Sequence, residues 1–151
     1  MIKDLFVDNN VAKNFKNPAD PEYQKLMKWL FTEGHLVVTS KLMAEYHASN
    51  QGNFGQSIIT IINKLTIDGR LVSLSNDDLK ALTFPKKIEQ KCQRLKKDYW
   101  HVKAILLSNR KMAIIIDEAF RNAVNSHPMH EGVKACAVSR PEEIDYENGL
   151  T

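Results

Sequence analysis

Four carboxylates stand out by what surrounds them. Asp8 closes the apolar run Leu5-Phe6-Val7, and Asp117 closes the run Met112-Ala113-Ile114-Ile115-Ile116. Short apolar runs rich in β-branched residues read as strands of a buried parallel sheet. In such sheets the working crevice lies outside the carboxyl ends of the strands, so both acids are expected at its rim. Glu45 and Asp98 fall on predicted helices that can deliver them to the same place. Carboxylates gathered in one crevice repel one another unless a cation lies among them. An all-oxygen donor set selects a hard divalent ion, Mg²⁺ or Mn²⁺. The candidate metal ligands are therefore Asp8, Glu45, Asp98 and Asp117, with Glu118 as the substitute if Asp117 faces away.

The elements that must position these acids alternate along the chain. After the first strand, Asp20-Pro21-Glu22 predicts a helix start, with Asp as cap, Pro in the first turn and an acid favouring the dipole. That helix is expected to stop at Gly34. Leu36 to Thr39 reads as the second strand, followed by a helix over 41–48, capped by Ser40, that carries Glu45. Residues 49–55 carry loop chemistry. The isoleucines at 58, 59, 61 and 62 suit a buried helix ending near Gly69 but leave a strand open. Leu71 to Leu74 reads as a short extended piece, with Asn76 or Asp77 capping a brief helix before Pro85. A basic helix over 86–97 follows, and Asp98 opens another with Val102, Ile105 and Leu106 on its apolar face. Met112 to Ile116 is a strand, and Glu118 to Asn125 a helix. Residues 127–132 read as a loop, and 133–138 as the last strand. The alternation predicts one α/β domain over 1–151, a three-layer α/β/α arrangement around a mostly parallel central sheet.

Composition bounds the possibilities. With 43% apolar and 26% charged residues, the chain has the balance of a soluble globular domain. No apolar run approaches the ~20 residues a membrane helix needs. Met1-Ile2-Lys3-Asp4-Leu5 carries an acid and turns at once into a strand, unlike a secretory leader. Cys92 and Cys136 stand apart, as reduced structural thiols do, and a cytoplasmic location is expected. Net charge is only +3, but nine basic residues between Lys86 and Lys111 face only Glu89 and Asp98. The last ten residues carry four acids and no base. Such a basic stripe suits a polyanionic ligand, and equally a solvated helix face. Its candidate contacts are Lys91, Arg94, Lys96 and Lys97.

In their order along the chain, these pieces resemble the PIN domain nucleases, most closely the VapC-type toxins of bacterial toxin–antitoxin pairs. The resemblance rests on Phe6-Val7-Asp8-Asn9-Asn10 and on Val38 through Tyr46 with Glu45. It continues at Asp98 with His101-Val102-Lys103-Ala104, at Ile115-Ile116-Asp117-Glu118-Ala119-Phe120, and at Val138 through Glu143. It implies that Asp8, Glu45 and Asp98 hold one or two divalent ions and that Asp117 completes the site. It further implies RNA as substrate, a homodimer and a cognate antitoxin as partner. Ile115 departs from the Thr that the family often has two residues before its last acid.

Phosphodiester hydrolysis needs an activated water, neutralisation of charge on the phosphorus and a stabilised leaving oxygen, and carboxylate-held divalent ions supply all three. Asp8 and Asp117 at strand ends would be rigid ligands, and Asp98 at a helix start gains from the dipole. Glu45 would bind metal or orient the water. Asn9 suits a hydrogen bond to an acid or a metal-bound water, or a helix cap. Tyr99 and Trp100 suit base stacking or, as aromatics at a helix start, core packing. His127 and His130 have ligand-like spacing in a segment that reads as loop. A haloacid-dehalogenase-like phosphatase would want a second Asp where Asn10 stands, and a response-regulator receiver wants adjacent acids and a late Lys. The remaining alternative is a catalytically idle PIN-type RNA-binding or assembly module. The helix pair around 21–33 and 41–48 offers Trp29, Phe31, Met43 and Tyr46 as a dimer surface, or as core.

Overall fold

Along the chain, the amino-terminal part comprises β1 (Asp4–Val7), α1 (Asn9–Ala12), α2 (Pro21–Thr32), β2 (His35–Val38), α3 (Ser40–Ser49), α4 (Ile58–Asp68) and β3 (Leu71–Ser73). Then come α5 (Asn76–Ala81), α6 (Lys86–Gln93), α7 (Tyr99–Leu107), β4 (Met112–Ile114), α8 (Glu118–Ser126), β5 (Met129–His130), β6 (Val133–Lys134) and β7 (Cys136–Val138). This computed structural model describes residues 3–16, 19–49, 57–126, 129–147 and 149–150.

The apolar runs pair as expected. Five strands form one parallel sheet in the order β3-β2-β1-β4-β7. Every residue of β1 and β4 is buried, as required of strands covered on both faces. Helices flank the sheet: α2, α3 and α4 pack together, while α5, α6 and α8 gather around α7. The chain moves outward from β1 through β2 to β3, then crosses back to β4 and β7. Right-handed crossovers therefore put the two helix groups on opposite faces. Fully buried Phe6, Phe15, Phe120, Leu26 and Leu30 anchor the core, each contributing about 1.5–3 kcal/mol by removal from water.

Local chemistry accounts for most boundaries. Asp20 caps α2 by accepting from the Glu22 N–H at 2.9 Å, and Pro21 occupies its first turn. The isoleucines of α4 form a helix, because Ser57 caps one end and Gly69, at φ 72°, closes the other. Gly34 is required for another reason: a Cβ there would lie 2.5 Å from the Trp29 ring.

Several expectations need correction. Thr39, not Ser40, caps α3, its Oγ1 accepting from the Leu42 N–H at 3.1 Å. Ser75 caps α5 through a reciprocal box with Asp78. The basic helix stops at Gln93 rather than 97, and Lys96 takes a left-handed φ of 56° that α6 could not continue through. The last strand is two pieces: β6 pairs antiparallel with β5, and only β7 joins the main sheet. Between β5 and β6, Glu131 and Gly132 both have positive φ, the signature of a type I′ hairpin turn. The side chains expected at a dimer surface are largely core. Trp29 is 6% and Tyr46 0% exposed, while Met43 is half-buried against the core. Phe31 alone of the four stays exposed. The loop expected over 49–55 lies almost wholly outside the described residues. No helix among the described residues is long and apolar enough to cross a membrane.

Candidate active site

The strand order reverses between β1 and β4, where the chain leaves β1 toward β2 on one side and returns to β4 on the other. Crevices open at such switch points, beyond the carboxyl ends of the strands. Asp8 follows β1 directly, and its N–H donates to the Ile114 carbonyl at 3.1 Å, locking the two strand ends together. Asp117 lies three residues beyond β4 and caps α8, its Oδ1 accepting from the Phe120 N–H at 2.9 Å.

Two ties bring α3 to the same place. The Tyr46 hydroxyl, fully buried, donates to the Val7 carbonyl immediately before Asp8. The Asn9 side-chain amide donates to Ser49 Oγ at 2.7 Å. Glu45, next to Tyr46, is thereby held beside the end of β1. Asp98 arrives from the other face, at the end of a 3₁₀ turn that leads into α7. As a result Asp8, Glu45, Asp98 and Asp117 line one cleft of about 320 Å³, with Asn9, Asn10, Lys13 and Ser49. Asp117 is itself exposed and lines this cleft, so Glu118 is not needed in its place.

The electrostatics of the cleft centre on Asp8. Burial pushes its carboxyl up to about 6; the nearby His101 imidazole and the Asn9 N–H pull downward, while the Asp98 and Glu45 carboxylates push further up. Asp98 and Glu45 thus stand close enough to act on Asp8. His101, not singled out as a site residue from the sequence, is completely buried against the Phe6 and Phe120 rings, at 5.4 and 6.1 Å. Its Nε2 lies 2.6 Å from Glu45 Oε2. Two buried atoms at this end of the molecule, Asn9 Oδ1 and His101 Nδ1, have no hydrogen-bond partner among the described residues.

The donor set suits a hard divalent ion in kind. Four carboxylates line one cleft, and Asn9 contributes a buried oxygen that no donor among the described residues satisfies, which is costly unless a ligand completes it. As the side chains are turned, no three acid, His or Cys groups among the described residues form a ready ligand cluster. Glu45 is turned to His101, and one Asp117 oxygen accepts from its own helix.

The basic stripe divides in two. Lys91, Arg94 and Lys96 are exposed; the Lys97 side chain lies outside what is described. Lys103 and Lys111 are buried, at 4% and 8% exposure. Lys103 Nζ sits over the rings of Tyr99, Trp100 and Phe84 at 4.8, 5.0 and 5.9 Å. Tyr99 and Trp100 are thus half-buried packing groups around an internal cation. Lys111 donates to the Ser108 carbonyl at 3.0 Å, and Arg110 donates to the carbonyls of Asp145 and Tyr146. Of the histidine pair, His127 lies outside the described residues and His130 sits in β5, 3.7 Å from Glu131. Burial pushes both cysteine thiols up, so neither is an activated nucleophile.

No family model, no curated protein and no solved structure matches this chain.

Proposed function

We propose that this chain is a divalent-metal-dependent endoribonuclease of PIN type, working through Asp8, Glu45, Asp98 and Asp117. One observation carries the reading. Four acids spread over more than a hundred positions line a single cleft at the switch point of a parallel sheet, and burial beside the other acids raises the carboxyl of the most buried of them to about 6. Such an arrangement costs stability in an empty site and is relieved by a cation. The order of the motifs along the chain, which resembles the PIN nucleases, supplies the substrate class.

Asp8, fixed at a strand end, and Asp98, at the start of α7, would hold Mg²⁺ or Mn²⁺, with Asp117 on the far rim. The bound ion would activate water and neutralise charge on the phosphate. Glu45 is placed to orient the attacking water or take its proton, because His101 holds its carboxylate at the cleft wall. Asn9 offers its unsatisfied oxygen to a metal-bound water. Lys13, the cation lining the cleft, is placed to meet a non-bridging phosphate oxygen. The homodimer and the antitoxin implied by the resemblance, and the cytoplasmic location expected from the isolated cysteines, belong to the same proposal.

A second reading, a catalytically idle RNA-binding or assembly module, draws on the internal partners already engaged by Glu45 and Asp117. Mn²⁺ titration with cleavage of a labelled RNA separates the two. The nuclease binds Mn²⁺ at the cleft and loses cleavage in EDTA. The idle module binds no Mn²⁺ there, and full cleavage in excess EDTA would end the metal assignment.

A further inference from the structure

Apart from the acid cleft, a second depression of about 300 Å³ runs between α6 and α8. One wall carries Lys91 and Arg94, the other Asn122 and Ser126. All four are exposed, and no carboxylate pairs with Lys91 or Arg94 among the described residues. Leu95 and Ala119 also line it. Leu95 precedes Asp98 by three residues, and Ala119 follows Asp117 by two. Both walls therefore continue along the chain into acids that line the catalytic cleft. Over the seven residues from Ala119 to Ser126, α8 rises about 10 Å.

We infer that this groove seats a short run of single-stranded RNA leading out of the acid cleft, with Lys91 and Arg94 meeting phosphates and Asn122 and Ser126 meeting phosphate or sugar oxygens. The inference rests on the nuclease reading of the cleft and adds the path and strandedness of the substrate. Charge argues for a polyanion: one wall is cationic, and the other supplies neutral amide and hydroxyl groups, which commonly contact phosphate and sugar. Width argues for one strand. A depression of about 300 Å³ has room for part of one extended chain, whereas a duplex would ride on its rims. Leu95 and Ala119 add apolar lining on which a base can lie.

The neutral α8 wall makes the test specific, because substitutions there remove no cation. Binding of a labelled single-stranded RNA octamer, and of the same length as duplex, is measured by anisotropy in EDTA. The proteins are wild type, the Lys91→Ala/Arg94→Ala pair, the Asn122→Asp/Ser126→Glu pair, and Thr60→Glu on α4 as a remote charge control. The slope of ~0.7 for single strands corresponds to roughly fivefold in affinity per phosphate contact at 0.1 M salt. The α8 pair is therefore expected to weaken single-strand binding by about 5-fold to 25-fold, for one or two contacts opposed, with Thr60→Glu unchanged and the duplex bound more weakly than the single strand. The groove is overturned if the α8 pair binds like wild type while the α6 pair does not, since phosphates would then lie on the outer face of α6. Equal binding of duplex, an equal loss in Thr60→Glu, or no binding by wild type also overturns it. Cleavage with Mn²⁺, run in parallel, keeps the two ideas apart. Groove-dependent binding without cleavage would leave the groove and remove the nuclease; cleavage by the α8 pair at wild-type KM would do the reverse.

Discussion

His101 Nε2 lies 2.6 Å from Glu45 Oε2, joining the core of one helix layer to the cleft wall supplied by the other. An ionised carboxylate can only accept, so the imidazole donates, and its other nitrogen is left buried without a partner among the described residues. A fully buried donor of this kind sets where Glu45 points, as the outer partners of metal-binding carboxylates do. His101→Phe keeps the ring packing against Phe6 and Phe120 while deleting the hydrogen bond. It should fold, because it also removes the orphaned nitrogen. Mn²⁺ affinity, read by electron paramagnetic resonance, should fall about 10–100-fold, and His101→Gln, which retains a donor, should recover part of it. Unchanged Mn²⁺ affinity in His101→Phe would make the pair a packing feature alone.

Asp8 gives a prediction with a definite sign. Its carboxyl is raised from an ordinary 3.8 to about 6 in the folded protein, foremost by burial. The protonated form is thus favoured by folding. That contribution is fully present below pH 3.8 and is lost as pH rises through about 6. In EDTA, Asp8→Asn should therefore be the more stable protein at pH 7, by about 3 kcal/mol at most, and nearly equal to wild type at about pH 4. Urea melts at the two pH values measure this. Mn²⁺ should stabilise wild type and not the variant, and cleavage should vanish in Asp8→Asn and in Asp98→Asn. A wild type that outlasts Asp8→Asn at neutral pH without metal would contradict the crowding of these acids.

The strand ends were legible from sequence because burial on both faces leaves an unbroken apolar run, and the acid closing each run marks where the sheet meets solvent. That suffices to place Asp8 and Asp117. Glu45 and Asp98 were legible by motif order, but what holds them was not. The hydroxyl of Tyr46 reaching Val7, and His101 reaching Glu45, span 39 and 56 positions, and no local periodicity encodes them. A buried His three residues after an acid on an apolar helix face was the available signal for His101. The basic stripe shows the opposite limit. Counting charges cannot tell Lys91, which faces solvent, from Lys103 and Lys111, which are buried. The helix break at Lys96 escaped because a left-handed φ at a lysine has no sequence signature. Trp29 and Tyr46 likewise read as surplus only until Gly34 and the Val7 carbonyl are found waiting for them.

The stretch of the stripe expected to meet RNA carries its own prediction. If Lys91, Arg94, Lys96 and Lys97 meet phosphates, alanine at all four should weaken RNA binding about equally across sequences. The salt dependence should flatten by roughly 0.7 log units per log unit of salt for each phosphate that is no longer neutralised. An affinity and salt slope equal to wild type would return these residues to a solvated helix face.

Lys103 belongs to the buried half, and its substitution should act on stability and not on RNA. No carboxylate pairs with its ammonium among the described residues; the faces of Tyr99, Trp100 and Phe84 carry its charge instead. The Tyr99 hydroxyl, in turn, donates to Glu89 on α6, so the cage links α7 to the helix that presents Lys91. Lys103→Ala empties the cage and removes a desolvated cation–π interaction worth up to about 2 kcal/mol, and the packing of the aliphatic stem goes with it. Lys103→Met refills most of the volume without the charge and should cost about 1 kcal/mol or less. Thermal melts of the two variants, beside RNA binding at a temperature where both are folded, make the comparison. Alanine should melt well below methionine, and both should bind RNA with the wild-type salt slope. A slope reduced in both variants would place Lys103 among the phosphate-binding residues after all.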